Sequence, residues 1–377
     1  MKEETRMNVA IISAFDTYFD RVRLLKRFFE AQGNQVTVIT SDFSHRKKEY
    51  VQYISGADIL VHARKYRKNL SVSRLLSHYH LSRLIKEQVE QIHPDLIYCL
   101  LPSNSLAKEM ESYKKEHPST KLVFDVIDLW PEAMPVQKFL NLLPFRFWKN
   151  LRDHHLDAAD QIFTECNLYQ NVLKKEDDPK YETLYWARSE IPCSFSNLIS
   201  EDELHFIYLG SINNIIDIDF IVKFLSLCQK EKKTIMHLIG QGESKKQLIQ
   251  KLKEKEIEVI DHGIVYSQEK KQAIFDQCNY ALNIMKPSVV VGLSMKSLDY
   301  LCGGVPLINT IQGDTFDLVK KYDLGFNIDQ NSIEQIVQTV CHYPLQKQFE
   351  QRENCRKVYR EMFYEASFIE TLKKKGL

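Results

Sequence analysis

The chain has 377 residues, 44% of them hydrophobic, with 51 lysines and arginines against 50 acidic residues and a formal net charge of +1. That length exceeds one hydrophobic core, so two domains are expected, and the balanced total charge says nothing about partners, whereas its distribution does. Eight scattered cysteines without a C-x-x-C pair argue against a zinc ribbon and for a reducing compartment, and no run approaches the roughly 20 apolar residues of a spanning helix. In chain order, Met7–Ser13 reads as a buried strand, Arg21–Gln32 as an amphipathic helix ended by Gly33, and Gln35–Thr40 as a second strand. This β-α-β opening lacks G-x-G-x-x-G, so a dinucleotide site is not supported. No acidic residue occurs between Asp58 and Glu87, whereas Arg64, Lys65, Arg67, Lys68, Arg74, Arg83 and Lys86 do. Within that basic stretch Val72, Leu75, Leu76 and Tyr79 recur at helical spacing, which predicts a helix burying that face with Arg74, His78 and Arg83 outside it. Strands follow at Asp95–Leu100 and Lys121–Val126, the latter running into Asp128-Leu129-Trp130-Pro131-Glu132. Phe139–Trp148 is apolar with a few cations, and Gln161–Thr164 is a further strand.

Periodicity fades between Tyr181 and Glu203, then the same grammar restarts. Strands are predicted at Phe206–Leu209, Ile235–Ile239, Glu258–Ile260, Ala281–Met285 and Val305–Asn309, with helices between them. The expected organisation is an N-terminal Rossmann-like domain over 1–190, a linker over 191–203, a second such domain over 204–344, and a helical segment over 345–377 packing back towards the first domain. The fold class is α/β, two doubly wound domains facing across a cleft. In such sheets ligands bind beyond the carboxyl ends of the strands, where Gly210, Gly240, Gly242, Gly263 and the Pro287–Met295 loop all fall.

The Asn283–Asp314 stretch carries the chemistry. A loop that opens into a helix after a parallel strand leaves orphan N–H groups near Leu293, Ser294 and Met295, an anion site reinforced by the helix dipole. Lys296 places a cation in the first turn, where the dipole disfavours one, which suits a bound phosphate. Asp299, one turn on, offers a carboxylate to paired hydroxyls such as those of ribose; a solvated Lys296–Asp299 pair is the plainer reading. Asp217-Ile218-Asp219 precedes a helix and reads as a cap rather than a metal-binding D-x-D.

The order G-S-I-N-N at 210–214, L-I-G-Q-G-E at 238–243, H-G-I-V at 262–265 and M-K-S-L-D-Y-L-C-G-G-V-P-L-I at 295–308 resembles the donor domain of retaining GT-B glycosyltransferases of family 4. The D-L-W-P-E segment at 128–132 resembles the bacterial surface (capsular or exo-) polysaccharide branch. The resemblance implies transfer of a sugar from a nucleotide diphosphate sugar, UDP-sugar foremost, to a glycan or lipid-diphosphate-linked acceptor, with retention. It implies donor contacts at Gly210, Ser211, Asn213, Gly240, Gly242, Ile264, Val265, Gly292, Leu293, Ser294, Met295, Lys296 and Asp299. Lys296 and Lys286 would neutralise the leaving diphosphate, so no metal or other cofactor is expected, and Asp128 would act at the acceptor or the sugar cation. Asp16, Trp130 and Glu132 are the acceptor-binding candidates. The pattern departs at Val291, where the group's first motif glutamate would stand, at Asp299 (normally glutamate), at Ile127 (often histidine), and over Ser211–Asp219, which holds no cation. These departures keep open a non-catalytic subunit that supports a partner transferase, and a sugar-nucleotide epimerase remains a third reading. The basic stretch and Phe139–Trp148 point to a cytosolic protein that can attach to an anionic membrane at the inner face of the plasma membrane. Nucleic acid is not an expected partner, since no recognition motif accompanies the charge, whereas a homo-oligomer is compatible with the sequence.

Overall fold

The computed structural model describes residues 6–134, 136, 139–189, 196 and 198–377, and it divides into two compact units, 1–186 with 369–377, and 187–368. Of the predicted linker at 191–203, residues 191–195 and 197 lie outside the described residues.

In the first unit, strands β1 (Asn8–Ser13), β2 (Gln35–Ser41), β5 (Ile59–Val61), β6 (Leu96–Leu101), β7 (Lys121–Val126), β8 (Gln161–Thr164) and β9 (Tyr181–Thr183) form one sheet in the order β5-β2-β1-β6-β7-β8-β9. Every pairing in it is parallel. A two-stranded ribbon, β3 (Phe43–Ser44) with β4 (Glu49–Tyr50), stands apart. All six residues of β6 are buried, as expected of a strand covered by helices on both faces. Those helices are α1 (Phe19–Ala31), α2 (Val72–Ile92), α3 (Asn104–Glu116), α4 (Leu143–Asp153) and α5 (Asn167–Leu173). The sheet order reverses between β1 and β6, so the loops after these strands open a crevice at their carboxyl ends.

The second unit repeats the plan. β10 (Glu203–Leu209), β11 (Lys233–Ile239), β12 (Glu258–Gly263), β13 (Tyr280–Asn283), β14 (Leu307–Asn309) and β15 (Gly325–Asn327) form a parallel sheet in the order β12-β11-β10-β13-β14-β15. Its helices are α6 (Ile218–Glu231), α7 (Lys245–Lys253), α8 (Gln268–Phe275), α9 (Met295–Gly303), α10 (Asp314–Tyr322), α11 (Ile333–Cys341) and α12 (Leu345–Val358). Phe206, Tyr208, Phe224, Leu225, Met236, Leu238 and Leu282 sit at its core, which buries the alternate residues of β10 and β11 against α6. Asp217 caps α6, its side chain accepting from the Phe220 N–H at 3.0 Å, and Asp219 pairs with Lys251, so the D-x-D is a helix start as read from sequence.

One expectation, on helix α2, is corrected below. The C-terminal segment divides between the two units. α12 belongs to the second unit, where Arg352 donates to the carbonyl oxygens of Cys278 (2.8 Å) and Phe275 (3.2 Å). Only 369–377, the end of α13 (Glu365–Lys374) and the residues after it, joins the first unit. Helix α2 buries the opposite face to the one its apolar spacing predicts. Val72 and Leu76 are 71% and 57% exposed, while Arg74 and His78 are buried. The polar pair is held inside by aromatic rings rather than by carboxylates, a partner that periodicity cannot reveal.

Candidate functional site

In the second unit the residues of the expected anion site lie beyond the end of β13, beside the point where the strand order reverses between β10 and β13. Ser294 is the N-cap of α9, its hydroxyl accepting from the Ser297 N–H at 3.3 Å while donating to the Asn283 side chain at 3.1 Å. Asn283 Nδ2 donates to Asn309 Oδ1 (2.9 Å), and Asn309 Nδ2 to Asn327 Oδ1 (2.8 Å). These asparagines are register partners on adjacent strands, so one amide row ties the start of α9 to the ends of β13, β14 and β15. Leu293, Ser294 and Gly292 are buried, Met295 is exposed, and Gly292 is fixed through its carbonyl, which accepts from the Thr315 N–H (2.8 Å) and hydroxyl (2.7 Å).

Lys296 is only 9% exposed, and its Nζ lies 4.5 Å from the Tyr208 ring centroid and 3.3 Å from the Tyr208 hydroxyl. Among the described residues no carboxylate pairs with it, and burial pulls its pKa from 10.5 down to about 7. A buried ammonium faced by an aromatic ring and a hydroxyl is costly to keep charged, and that cost is the cause of the lowered pKa. Asp299 is not an open carboxylate: Lys271 donates to it at 3.1 Å and Arg188 at 3.2 Å. A carboxylate has about four acceptor positions, so capacity for ligand hydroxyls remains. Lys286, the second predicted cation, is exposed on the loop after β13.

The glycines at the strand ends have a steric role. A Cβ on Gly240 would come 2.0 Å from the Gly210 carbonyl oxygen, and one on Gly242 2.1 Å from that of Ile212. The loops after β10 and β11 therefore lie against each other, with Lys245 Nζ bridging the Gly240 carbonyl and Asp261, both at 2.7 Å. Ser211 is exposed, Asn213 turns its own side chain onto the Ile215 N–H, and Ile264 and Val265 follow β12, Ile264 being exposed and Val265 half-buried. Tyr266 beyond them is 86% exposed.

In the first unit Asp128 accepts from the Tyr18 hydroxyl, and burial raises its pKa. Burial and the Asp128 charge raise that of neighbouring Glu165 well above the carboxylate range. Asp125 is structural, taking both Nε (2.7 Å) and Nη2 (2.8 Å) of Arg21 and the Tyr98 hydroxyl (2.8 Å). Of the acceptor candidates, Glu132 is occupied: Arg152 grips both its oxygens (2.9 and 3.0 Å) and Lys149 a further position (2.8 Å), so the geometry gives it a packing role. Asp16 accepts from the Ser44 hydroxyl (2.6 Å) and the His45 N–H (3.2 Å), and orders the loop after β1. Trp130 is buried beneath Arg74, whose guanidinium carbon lies 4.1 Å from the indole centroid, and stacks on His78. Sequence reasoning missed Arg74, His78, Arg188, Lys271 and Tyr208. Arg188 and Lys271 reach Asp299 from segments with no local pattern that marks them. The missing acidic residues between Asp58 and Glu87 were the one available signal for Arg74.

Residues 203–343 match a family model described as glycosyl transferases group 1. A search of curated protein sequences gave no match. Among solved structures, Anabaena HepE in complex with UDP and glucose is similar over 98% of this chain and 99% of its own (TM-score 0.68, 11% identity). Sucrose-phosphate synthase from Thermosynechococcus elongatus is similar over 98% of both chains (TM-score 0.72, 12% identity). The structure of WaaG, a glycosyltransferase involved in lipopolysaccharide biosynthesis, is similar over 96% of this chain and 98% of its own (TM-score 0.66, 12% identity). By architecture the chain is thus a two-domain GT-B protein, and its second Rossmann-like unit carries the match to glycosyl transferases group 1.

Proposed function

We propose that the protein is a retaining, metal-independent glycosyltransferase that takes a sugar from a nucleotide diphosphate sugar, a UDP-sugar foremost, and passes it to a glycan or lipid-linked acceptor in surface polysaccharide assembly. The observation that carries this reading is Lys296, a buried lysine at the first turn of α9 that no carboxylate pairs with among the described residues. As the bond from the anomeric carbon to the diphosphate oxygen breaks, negative charge grows on the leaving group. A preorganised ammonium and helix N–H groups aimed at that charge favour the transition state over the ground state. Lys286, exposed on a neighbouring loop, is free to swing onto the outer phosphate. Asp299, fixed by Lys271 and Arg188, receives the ribose hydroxyls. HepE, whose structures hold UDP and UDP-glucose, supports the choice of base. Asp128, oriented by Tyr18, orders the acceptor hydroxyl or steadies the sugar cation.

The test is UDP release from a panel of UDP-sugars with and without acceptor, with the anomeric configuration of the product read by NMR. Release that survives in both Lys296→Ala and Asp299→Ala removes the assignment. A non-catalytic subunit is the second reading, favoured by the two cations already on Asp299 and by Val291. It is selected if UDP binds at the Lys296 site but no sugar nucleotide is turned over.

A further inference from the structure

The inversion of helix α2 places an unusual group inside the first unit. Arg74 is 2% exposed, and its Nη1 donates to the Asn69 carbonyl at 2.8 Å. Its Nη2 has no hydrogen-bond partner, and neither has Nδ1 of the buried His78. No carboxylate is bonded to the guanidinium among the described residues. Trp130 covers it at 4.1 Å, with Tyr66 at 5.8 Å and Phe15 at 5.9 Å completing an aromatic sleeve. Two more nitrogen groups stand at Tyr66: His45 Nδ1, which lies 2.6 Å from its hydroxyl and accepts from Lys48 Nζ at 3.4 Å, and Lys48 Nζ itself, 4.6 Å from its ring and also donating to Asn69 Oδ1 at 2.6 Å. The nearby carboxylate Asp16 is engaged with Ser44 and the His45 N–H. A buried guanidinium with an unmet donor is costly unless something from outside satisfies it.

An apolar groove begins beside His78, whose Nε2 accepts from Arg74 Nε at 3.4 Å. One cavity of about 260 Å³ is walled by Leu76, Phe147, Trp148, Leu151 and His78 itself, and a second of about 210 Å³ by Leu70, Val72, Pro144 and Phe145. They share Leu75 and Trp148 as lining residues, so the two cavities adjoin one another between α2 and α4. Of the lining residues Leu70, Val72 and Phe147 are exposed, as is Leu143 next to Pro144 in the chain, and a contiguous exposed apolar patch marks an interaction surface. Exposed Lys65, Arg67, Lys68 and Arg146 lie near the same segments in the chain, which suits an anionic amphiphile.

We propose that this is a binding site for a lipid phosphate: the phosphate bonds the free edge of Arg74 beside His78, His45 and Lys48, and the hydrocarbon lies in the groove between α2 and α4. The acceptor would then be recognised by a phosphate joined to an alkyl or polyprenyl chain, whatever sugar it carries. This rests on the reading that the first unit handles the acceptor, but not on the donor site.

Dodecyl phosphate below its micelle concentration is the probe, titrated against the full chain by calorimetry and by tryptophan fluorescence. Saturable one-to-one binding is expected, with dodecyl maltoside and inorganic phosphate each at least tenfold weaker. Arg74→Met, which keeps the apolar stem over Trp130, should weaken the probe at least tenfold, and Arg74→Lys should recover part of the loss. Leu76→Asp and Val72→Asp change exposed positions that do not threaten folding, and both should weaken the probe while leaving inorganic phosphate binding as it was. Unchanged affinity in Arg74→Met together with Leu76→Asp overturns the site. So does non-saturating, salt-sensitive attachment to vesicles of anionic lipid that ignores both variants, since it makes the patch a general membrane contact. UDP binding, measured on the same variants, should not change, so loss of the lipid site leaves the donor site standing.

Discussion

Replacing Lys296 by methionine separates a lysine kept for a ligand from one kept for folding. The ammonium is buried, and among the described residues its polar and aromatic contacts are the Tyr208 hydroxyl and ring. Its fall from 10.5 to about 7 corresponds to roughly 5 kcal/mol against the charged form. The cation–π contact returns about 1 kcal/mol of that, and local relaxation more, so a net gain of roughly 1–3 kcal/mol is expected for Lys296→Met at pH 6. A domain of this size shifts its Tm by about 2–4 °C per kcal/mol. The folded-state pKa lies below the unfolded one. The wild type is therefore at its largest disadvantage below pH 7 and regains stability as the pH rises towards 10.5, which should close the gap between the two proteins. The same substitution should reduce UDP affinity at least tenfold, the loss of one charge-assisted phosphate contact. Differential scanning calorimetry at pH 6 and 9, with UDP titrations at pH 6, gives both numbers. A lower Tm with unchanged UDP affinity would refute the reasoning, because Lys296 would then be a packing residue.

Diphosphate bound beside Lys296 should hold it charged, so UDP binding above pH 7 takes up a proton and affinity falls with rising pH; calorimetry in buffers of different ionisation enthalpy reads this directly, and no uptake refutes it. Gly240→Ala forces a Cβ to 2.0 Å from the Gly210 carbonyl at φ +135°, so it should destabilise the second unit by several kcal/mol, on the order of 3 or more, visible in denaturant unfolding. Glu132→Ala takes one of two carboxylates from buried Arg152, leaving Asp153 at 2.7 Å, and should destabilise the first unit by about 1–3 kcal/mol while UDP affinity stays the same; a stable variant that loses acceptor use would restore Glu132 to the site.

The second unit was largely legible in the sequence because its information is local. Short apolar runs give the strands, Gly210, Gly240 and Gly263 mark their ends, and the cap, cation and carboxylate of α9 lie within six residues. What the sequence hid is tertiary. Asp299 meets Arg188 and Lys271 only through the fold, and Glu132 looked free because Arg152 lies twenty residues on. Helix α2 misled for a physical reason: spacing reports where apolar residues are, not whether a neighbouring surface needs them. Here Trp130, Phe15 and Tyr66 claim the polar face, and the apolar one is left outside.

The row of asparagines at the ends of β13, β14 and β15 bears on timing. Each amide both donates and accepts, so turning one requires turning the next, and Ser294 at the end of the row inherits that rigidity. The loop in front of α9 is thereby set while the chain folds, and its loss of freedom is charged to folding instead of to each arriving substrate. Replacing Asn309 with leucine would cut the row in the middle, and the entropic penalty would reappear as slower, weaker capture of nucleotide by an otherwise intact sheet.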